Sequence, residues 1–93
     1  MQFTTFDEFR RQAGQPYEVE IMGGKVAMKL AAAQELPSMG RQGGSFRLEF
    51  LGPLQPILAQ GTYPFRAGGK QHDIFIVPIG QDQQGTRYEA IFV

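Results

Sequence analysis

The sequence predicts a mainly β fold: a small antiparallel barrel of six strands in a meander, or a two-layer sandwich, with one short N-terminal helix. Three observations predict it. Apolar and polar residues alternate with period two along Tyr17–Met22, Lys25–Leu30 and Phe46–Phe50. Glycine pairs at Gly23-Gly24 and Gly68-Gly69 separate runs of this kind, where tight hairpins need positive φ. The stretch Asp73–Val93 carries two apolar runs around a polar turn with Gly85. Ile74, Phe75, Ile76, Val77 and Ile79 are apolar on both faces, as nearly are Tyr88, Ala90, Ile91, Phe92 and Val93. Strands of that pattern belong in the middle of a structure, which favours a closed or nearly closed barrel over an open sheet.

Taken in order, Thr5-Phe6-Asp7-Glu8 reads as a capping box, a hydroxyl followed three residues later by a carboxylate. Phe6, Phe9 and Ala13 fall on one helical face, while Gly14 and Pro16 stop the helix. A helix over about Thr5–Ala13 would lie across the sheet or plug one barrel end. Across the Gly23-Gly24 hairpin, pairing Met22 with Lys25 sets Ile21 against Val26, Val19 against Met28, Tyr17 against Leu30 and Glu18 against Lys29. Ala31–Leu36 continues the strand or turns helical. Pro37–Ser45 reads as a loop, Phe46–Phe50 as a half-buried strand ended by Gly52-Pro53, and Leu54–Gln60 as a connector that tucks Ile57 and Leu58 under the core. Thr62–Ala67 carries Pro64 and reads as an edge or bulged strand. Pairing Ala67 with Lys70 sets Tyr63 against Ile74 and Phe65 against His72. Pro78 cannot donate to a ladder, so a bulge or a pairing end belongs there. Phe75 is expected in the core, with Phe75→Ala costing about 3–5 kcal/mol.

At 93 residues the chain is expected to be a single domain, 1–93, of modest stability. Nine basic and nine acidic residues balance, and no basic cluster appears, so bulk electrostatics attract no nucleic acid. The absence of cysteine removes disulfides and thiol chemistry and points to a reducing compartment or an assembly with partners; a cytoplasmic setting is expected. Neither a leader peptide nor a membrane-spanning run is visible, so no membrane association is expected.

The catalytic inventory is thin. His72 is the single histidine, has no Cys or clustered carboxylates at ligand spacing, and reads as a surface residue near a turn. Gly40–Ser45 lacks the Lys-Ser/Thr ending of a nucleotide loop and precedes a strand, so it reads as a connector. Met39, Arg41, Gln42 and Ser45, in the Met39–Ser45 loop, form a possible partner-contact loop. Glu18, Glu20, Glu49 and Glu89 alternate with apolar residues and read as solvent faces of strands, not as an acid–base pair. The serines and threonines have no nearby base. Pro78, Gly85, Arg87, Tyr88 and Glu89 form a structural motif, with an Arg87–Glu89 pair expected to tie the Asp82–Thr86 turn to the barrel. No catalytic residue, metal ligand or cofactor is expected.

Residues Val77–Phe92, VPIGQDQQGTRYEAIF, carry the pattern Val-Pro-x-Gly, a short polar turn with Gly, then Arg-Tyr-Glu-Ala-x-Phe. This resembles the closing motif of a family of small uncharacterised bacterial proteins, a domain of unknown function. Phe6-Asp7-Glu8-Phe9, Gly14, Phe50-x-Gly52-Pro53 and Gln60-Gly61-x-Tyr63 also fit, so the resemblance covers nearly the whole chain. Val93 departs from it where relatives often carry a polar residue, which affects no chemistry. The resemblance implies a compact β-rich bacterial domain, brings no known activity, and implies an accessory role beside phage-tail-like or tail-fibre-like proteins. The functional expectation is a non-enzymatic interaction or assembly module, meeting a protein partner or another copy of itself through edge strands or the Met39–Ser45 loop. The alternative expectation is a small-ligand-binding barrel.

Overall fold

The computed structural model describes residues 5–37 and 44–93. Helix α1 (Phe6–Arg10) starts at the expected capping box: the Glu8 N–H donates to Thr5 Oγ1 and the Thr5 N–H to Glu8 Oε1, each at 3.3 Å. It is shorter than the Thr5–Ala13 expected. The Gly14 N–H donates to the Leu30 carbonyl at 2.8 Å, and the Leu30 N–H donates to the Gln15 carbonyl at 3.3 Å. The chain is therefore drawn into the sheet immediately after one helical turn, and Ala13 is left exposed.

Strands β1 (Pro16–Ile21) and β2 (Gly24–Glu35) form the first hairpin, but two residues away from the expected register. Ile21 pairs with Gly24, Val19 with Val26 and Tyr17 with Met28. Among the turn residues Gly23 alone takes positive φ, 85°, so Met22-Gly23 is the loop and Gly24 is already a strand residue. A slip of two keeps every side chain on its intended face. Its visible consequence is that Glu18 pairs with Lys25, at 3.1 Å, and not with Lys29. β2 stays extended through Ala31–Glu35, with a bulge between Leu30 and Ala32 where it pairs with β3 (Phe46–Gly52).

Of the expected pair in the connector, Leu58 is buried and donates its N–H to the Tyr88 hydroxyl at 2.9 Å, whereas Ile57 is exposed. Strands β4 (Gly61–Ala67) and β5 (Lys70–Asp82) pair in the expected register, Tyr63 with Ile74 and Phe65 with His72, across Gly68 and Gly69 at φ 59° and 78°. β6 (Gly85–Phe92) follows, and the β5–β6 register shifts between Pro78 and Gly80, the bulge that Pro78 calls for.

The strands close into an antiparallel barrel in the order β1-β2-β3-β6-β5-β4. This is a barrel and not a sandwich, but it is not a meander. After β3 the connector carries the chain across the barrel end, so β3 receives β6 as its neighbour and β4 closes onto β1. That closure rests on two pairs, Glu18 with Arg66 and Val19 with Phe65, and stops before Pro64, which has no N–H to donate. β4 is thus a closing strand, not an edge.

The barrel interior is filled by side chains that include Tyr17, Met28, Leu30, Phe50, Phe65 and Tyr88, all essentially inaccessible. Phe9 from α1 seals one end against Phe46, Phe92 and His72. Gly85 lies so close to the Gly52 backbone that a Cβ on Gly85, whose φ is 152°, would overlap the Gly52 carbonyl oxygen.

A closed barrel buries one face of each strand. Ile74 and Ile76 are inside, but Phe75 is 51% exposed and Ile79 and Ile91 are 48% exposed. The two-sided apolar character of β5 and β6 is real in the sequence, yet no described element covers the outer side. The expected core position of Phe75 is corrected accordingly.

Candidate functional site

Strand alternation projects Arg47, Glu49 and Leu51 from β3, Arg87, Glu89 and Ile91 from β6, and Phe75 and Val77 from β5 onto one outer face. Their cross-strand partners run Arg47 to Ile91, Glu49 to Glu89, Leu51 to Arg87 and Val77 to Glu89. Two glutamates therefore stand directly opposite each other, an arrangement that is unfavourable unless cations intervene. Arg47 intervenes: its Nε donates to Glu89 Oε2 at 2.5 Å and its Nη2 to Glu49 Oε1 at 2.9 Å. Hydrogen bonding to Glu89, then to Glu49, raises the Arg47 pKa above its ordinary value. Arg87 Nη1 reaches Glu49 Oε2 at 3.4 Å, its Nε donates to Asp82 Oδ2 at 3.0 Å, and its Nη2 donates to Gln84 Oε1 at 2.6 Å. The Asp82 carboxyl is lowered below the ordinary range, first by the Gln84 backbone N–H and then by the Arg87 guanidinium.

The expected tie between the Asp82–Thr86 turn and the barrel is present, but Arg87 makes it to Asp82 and Gln84, not to Glu89. Arg47 takes Glu49 on its own strand and Glu89 across the ladder, whereas both carboxylates of Arg87, Asp82 on β5 and Glu49 on β3, lie across the ladder and draw it away from Glu89. Pro78 faces buried Tyr88. Together with Gly85, whose φ of 152° suits glycine, these positions hold the hairpin in shape.

The other candidate residues separate. Ser45 is buried, 2% exposed, and its carbonyl accepts from the Leu36 N–H, so it is not placed to touch a partner. Met39, Arg41 and Gln42 lie outside the described residues. His72 is not a surface residue: its side chain is 17% exposed, with its ring centroid 5.1 Å from that of Phe9 and its Nε2 3.9 Å from Glu8 Oε2. Strand alternation points it toward the barrel end that α1 covers. Arg87 contacts Asp82, ten residues along β5 from His72, roughly 30 Å at strand spacing. The two do not converge on one site. Among the described residues no three His, Asp or Glu side chains group as a metal site, and no helix is long and apolar enough to cross a membrane. The filled interior restricts any small ligand to open surface grooves, such as the one along the β1–β4 seam between Ile21, Met22, Ile57 and Tyr63.

The feature that the sequence reading missed is the apolar stripe itself. Phe75, Ile79 and Ile91 are three of the seven large apolar residues that are exposed among those described, and Val93 beside them is a fourth, so the exposure is concentrated on one hairpin. The signal was available: Tyr88 and Ala90 inside require Ile91 outside, and Ile74 and Ile76 inside require Phe75 outside.

Residues 4–92 match a family described as a domain of unknown function, DUF6916. The chain belongs to the DUF6916 family. The match takes in α1 and all six strands, so the barrel as a whole is the DUF6916 unit and the exposed stripe lies within it. No curated protein and no solved structure matches the chain.

Proposed function

We propose that this DUF6916 domain is a non-enzymatic interaction module that docks a protein partner on the outer face of β5 and β6. The observation that carries the reading is the clustering of Phe75, Ile79 and Ile91 on the outside of a barrel whose inner positions are filled with apolar side chains. Several exposed large apolar side chains on one hairpin, beside charged groups, are characteristic of interaction sites. Ordered ion pairs next to the stripe support a rigid docking surface, which lowers the entropic cost of association. The closed sheet removes most strand edges, so the face replaces strand addition as the route of contact. A cytoplasmic setting and an accessory role beside a tail-like assembly belong to the same proposal; the second rests on the family resemblance alone.

The test is capture from native lysate by tagged wild type and by a Phe75→Ser/Ile91→Ser double variant, with circular dichroism confirming that both are folded. The reading expects a stoichiometric protein that the wild type retains and the variant loses. Equal capture by both, or by neither, would defeat it.

A further inference from the structure

The charged half of the same face is not neutral, and its imbalance is localised. Two guanidiniums, Arg47 and Arg87, serve three carboxylates, Glu49, Glu89 and Asp82. Glu49 has both oxygens engaged, one by each arginine. Asp82 has both engaged, Oδ1 by the Gln84 and Gly85 N–H groups and Oδ2 by Arg87. Glu89 is held by Arg47 alone, through Oε2; among the described residues its Oε1 has no hydrogen-bond donor. That oxygen belongs to a side chain at the border between the charged and apolar parts of the face, with Glu49 and Arg87 on one side and Val77, its β5 partner, and Ile91, two residues along β6, on the other. The exposed Phe75 ring lies two residues before Val77 on the same outer side of β5.

We propose, building on the interaction reading above, that the partner is a protein segment whose apolar contact stripe carries one lysine or arginine, and that Glu89 receives that cation. Charge complementarity selects this occupant. An approaching cation neutralises the excess carboxylate in a surface already partly shielded from water, where Glu89 is 32% exposed. The cation's aliphatic stem packs along Val77 and Ile91, and its head lies within reach of the Phe75 ring. A second copy presenting this same face would bring two excess negative charges together, which disfavours self-association. The width suits a single helix: β3, β6 and β5 span two strand spacings, about 10 Å, close to one helix diameter.

The experiment uses two amphipathic helical peptides, each a leucine and glutamine sequence with one residue in the apolar stripe set to lysine or to glutamate. Binding to the isotope-labelled full chain is followed by amide chemical shifts. The lysine peptide is expected to bind about three- to tenfold more tightly than its glutamate twin at low salt, with the ratio shrinking as salt is added. Shifts should centre on Phe75, Val77, Glu89 and Ile91. Glu89→Gln should bring the ratio to near one, while Phe75→Ser weakens both peptides. If Glu89→Gln does not fold, the wild-type shift map and salt dependence decide alone. Charge-blind binding of both peptides on this face overturns the inference and leaves the interaction reading standing. Shifts centred elsewhere, no shifts on this face with either peptide, or self-association of the wild type that Phe75→Ser abolishes, each overturn it. Indifference of lysate capture to Phe75→Ser/Ile91→Ser removes the underlying reading as well.

Discussion

Phe50 and Phe75 are both aromatic residues in strands, and Phe50→Ala and Phe75→Ala together test whether the outer face is open. Phe50 is inaccessible, its ring 5.6 Å from that of Tyr17 and 4.7 Å from that of Phe65. Truncating it leaves a cavity inside a closed barrel, which costs about 3–5 kcal/mol. Phe75 is half exposed, so it realises roughly half of the ~3 kcal/mol that full burial of a phenylalanine provides, and its removal leaves no enclosed void. Phe75→Ala should therefore cost about 1–1.5 kcal/mol, a fall in Tm of about 4–12 °C for a domain of this size. Phe50→Ala should lower Tm by more than about 12 °C and approach the total stability of so small a domain. The assay is urea unfolding of dilute protein followed by circular dichroism, in which the midpoint moves at constant m. A loss above about 3 kcal/mol for Phe75→Ala would show that the outer face is covered in the free protein, and the docking argument would lose its basis. A loss below about 1 kcal/mol for Phe50→Ala would mean the barrel interior is misassigned.

Gly85→Ala should destabilise by about 2–5 kcal/mol, combining a disfavoured φ with a clash against the Gly52 carbonyl, and calorimetry should find the loss undiminished by salt. Arg47→Met removes the one cation between Glu49 and Glu89; a loss of about 1–2 kcal/mol is expected, partly relieved by added salt, which screens the exposed carboxylates. The lowered pKa of Asp82 makes it a source of stability that is present above the ordinary value of 3.8 and lost as pH falls through the lower folded-state value; the urea midpoint should drop over that acid range, and Asp82→Asn should flatten the drop. Burial, and secondarily Glu8, pushes Tyr17 up to about 12, so its un-ionised form is favoured in the folded state. Stability should then decline above the ordinary value of 10.0, where Tyr17 of the unfolded chain ionises first, and the phenolate absorbance lost in a Tyr17→Phe variant should be the late-titrating part.

Local chemistry was the legible part of the fold. The Thr5–Glu8 capping box, the Gly68-Gly69 hairpin with its register and the bulge at Pro78 each depend on a few adjacent residues, and each is found where the residues require it. The first hairpin slipped because Gly23 serves a loop at Met22-Gly23 as well as one at Gly23-Gly24, and the resulting shift of two leaves the inside–outside pattern unchanged. Strand order was not legible for a different reason. Alternation specifies which face of β3 is buried but not which strand lies at its edge, so the place of β6 beside β3 depends on where the connector takes the chain.

The candidate site was obscured by an inference that holds for open sheets and fails for barrels. In a layered fold, apolar residues on both faces of a strand imply cover on both sides. A barrel of this size has one interior, already filled by Tyr17, Phe50, Phe65 and Tyr88 and their neighbours, so additional apolar residues on β5 and β6 have no inner position left. Their outward placement carries a cost in exposed apolar surface, while the neighbouring Arg47 and Arg87 network keeps the same face ordered. Glu89 belongs to both features, paired on one side with Arg47 and opposite Val77 on the other. The Arg-Tyr-Glu-Ala-x-Phe run can therefore be divided by strand parity. Tyr88 and Ala90 build the barrel, while Arg87, Glu89 and the intervening Ile91 form the surface a partner would meet.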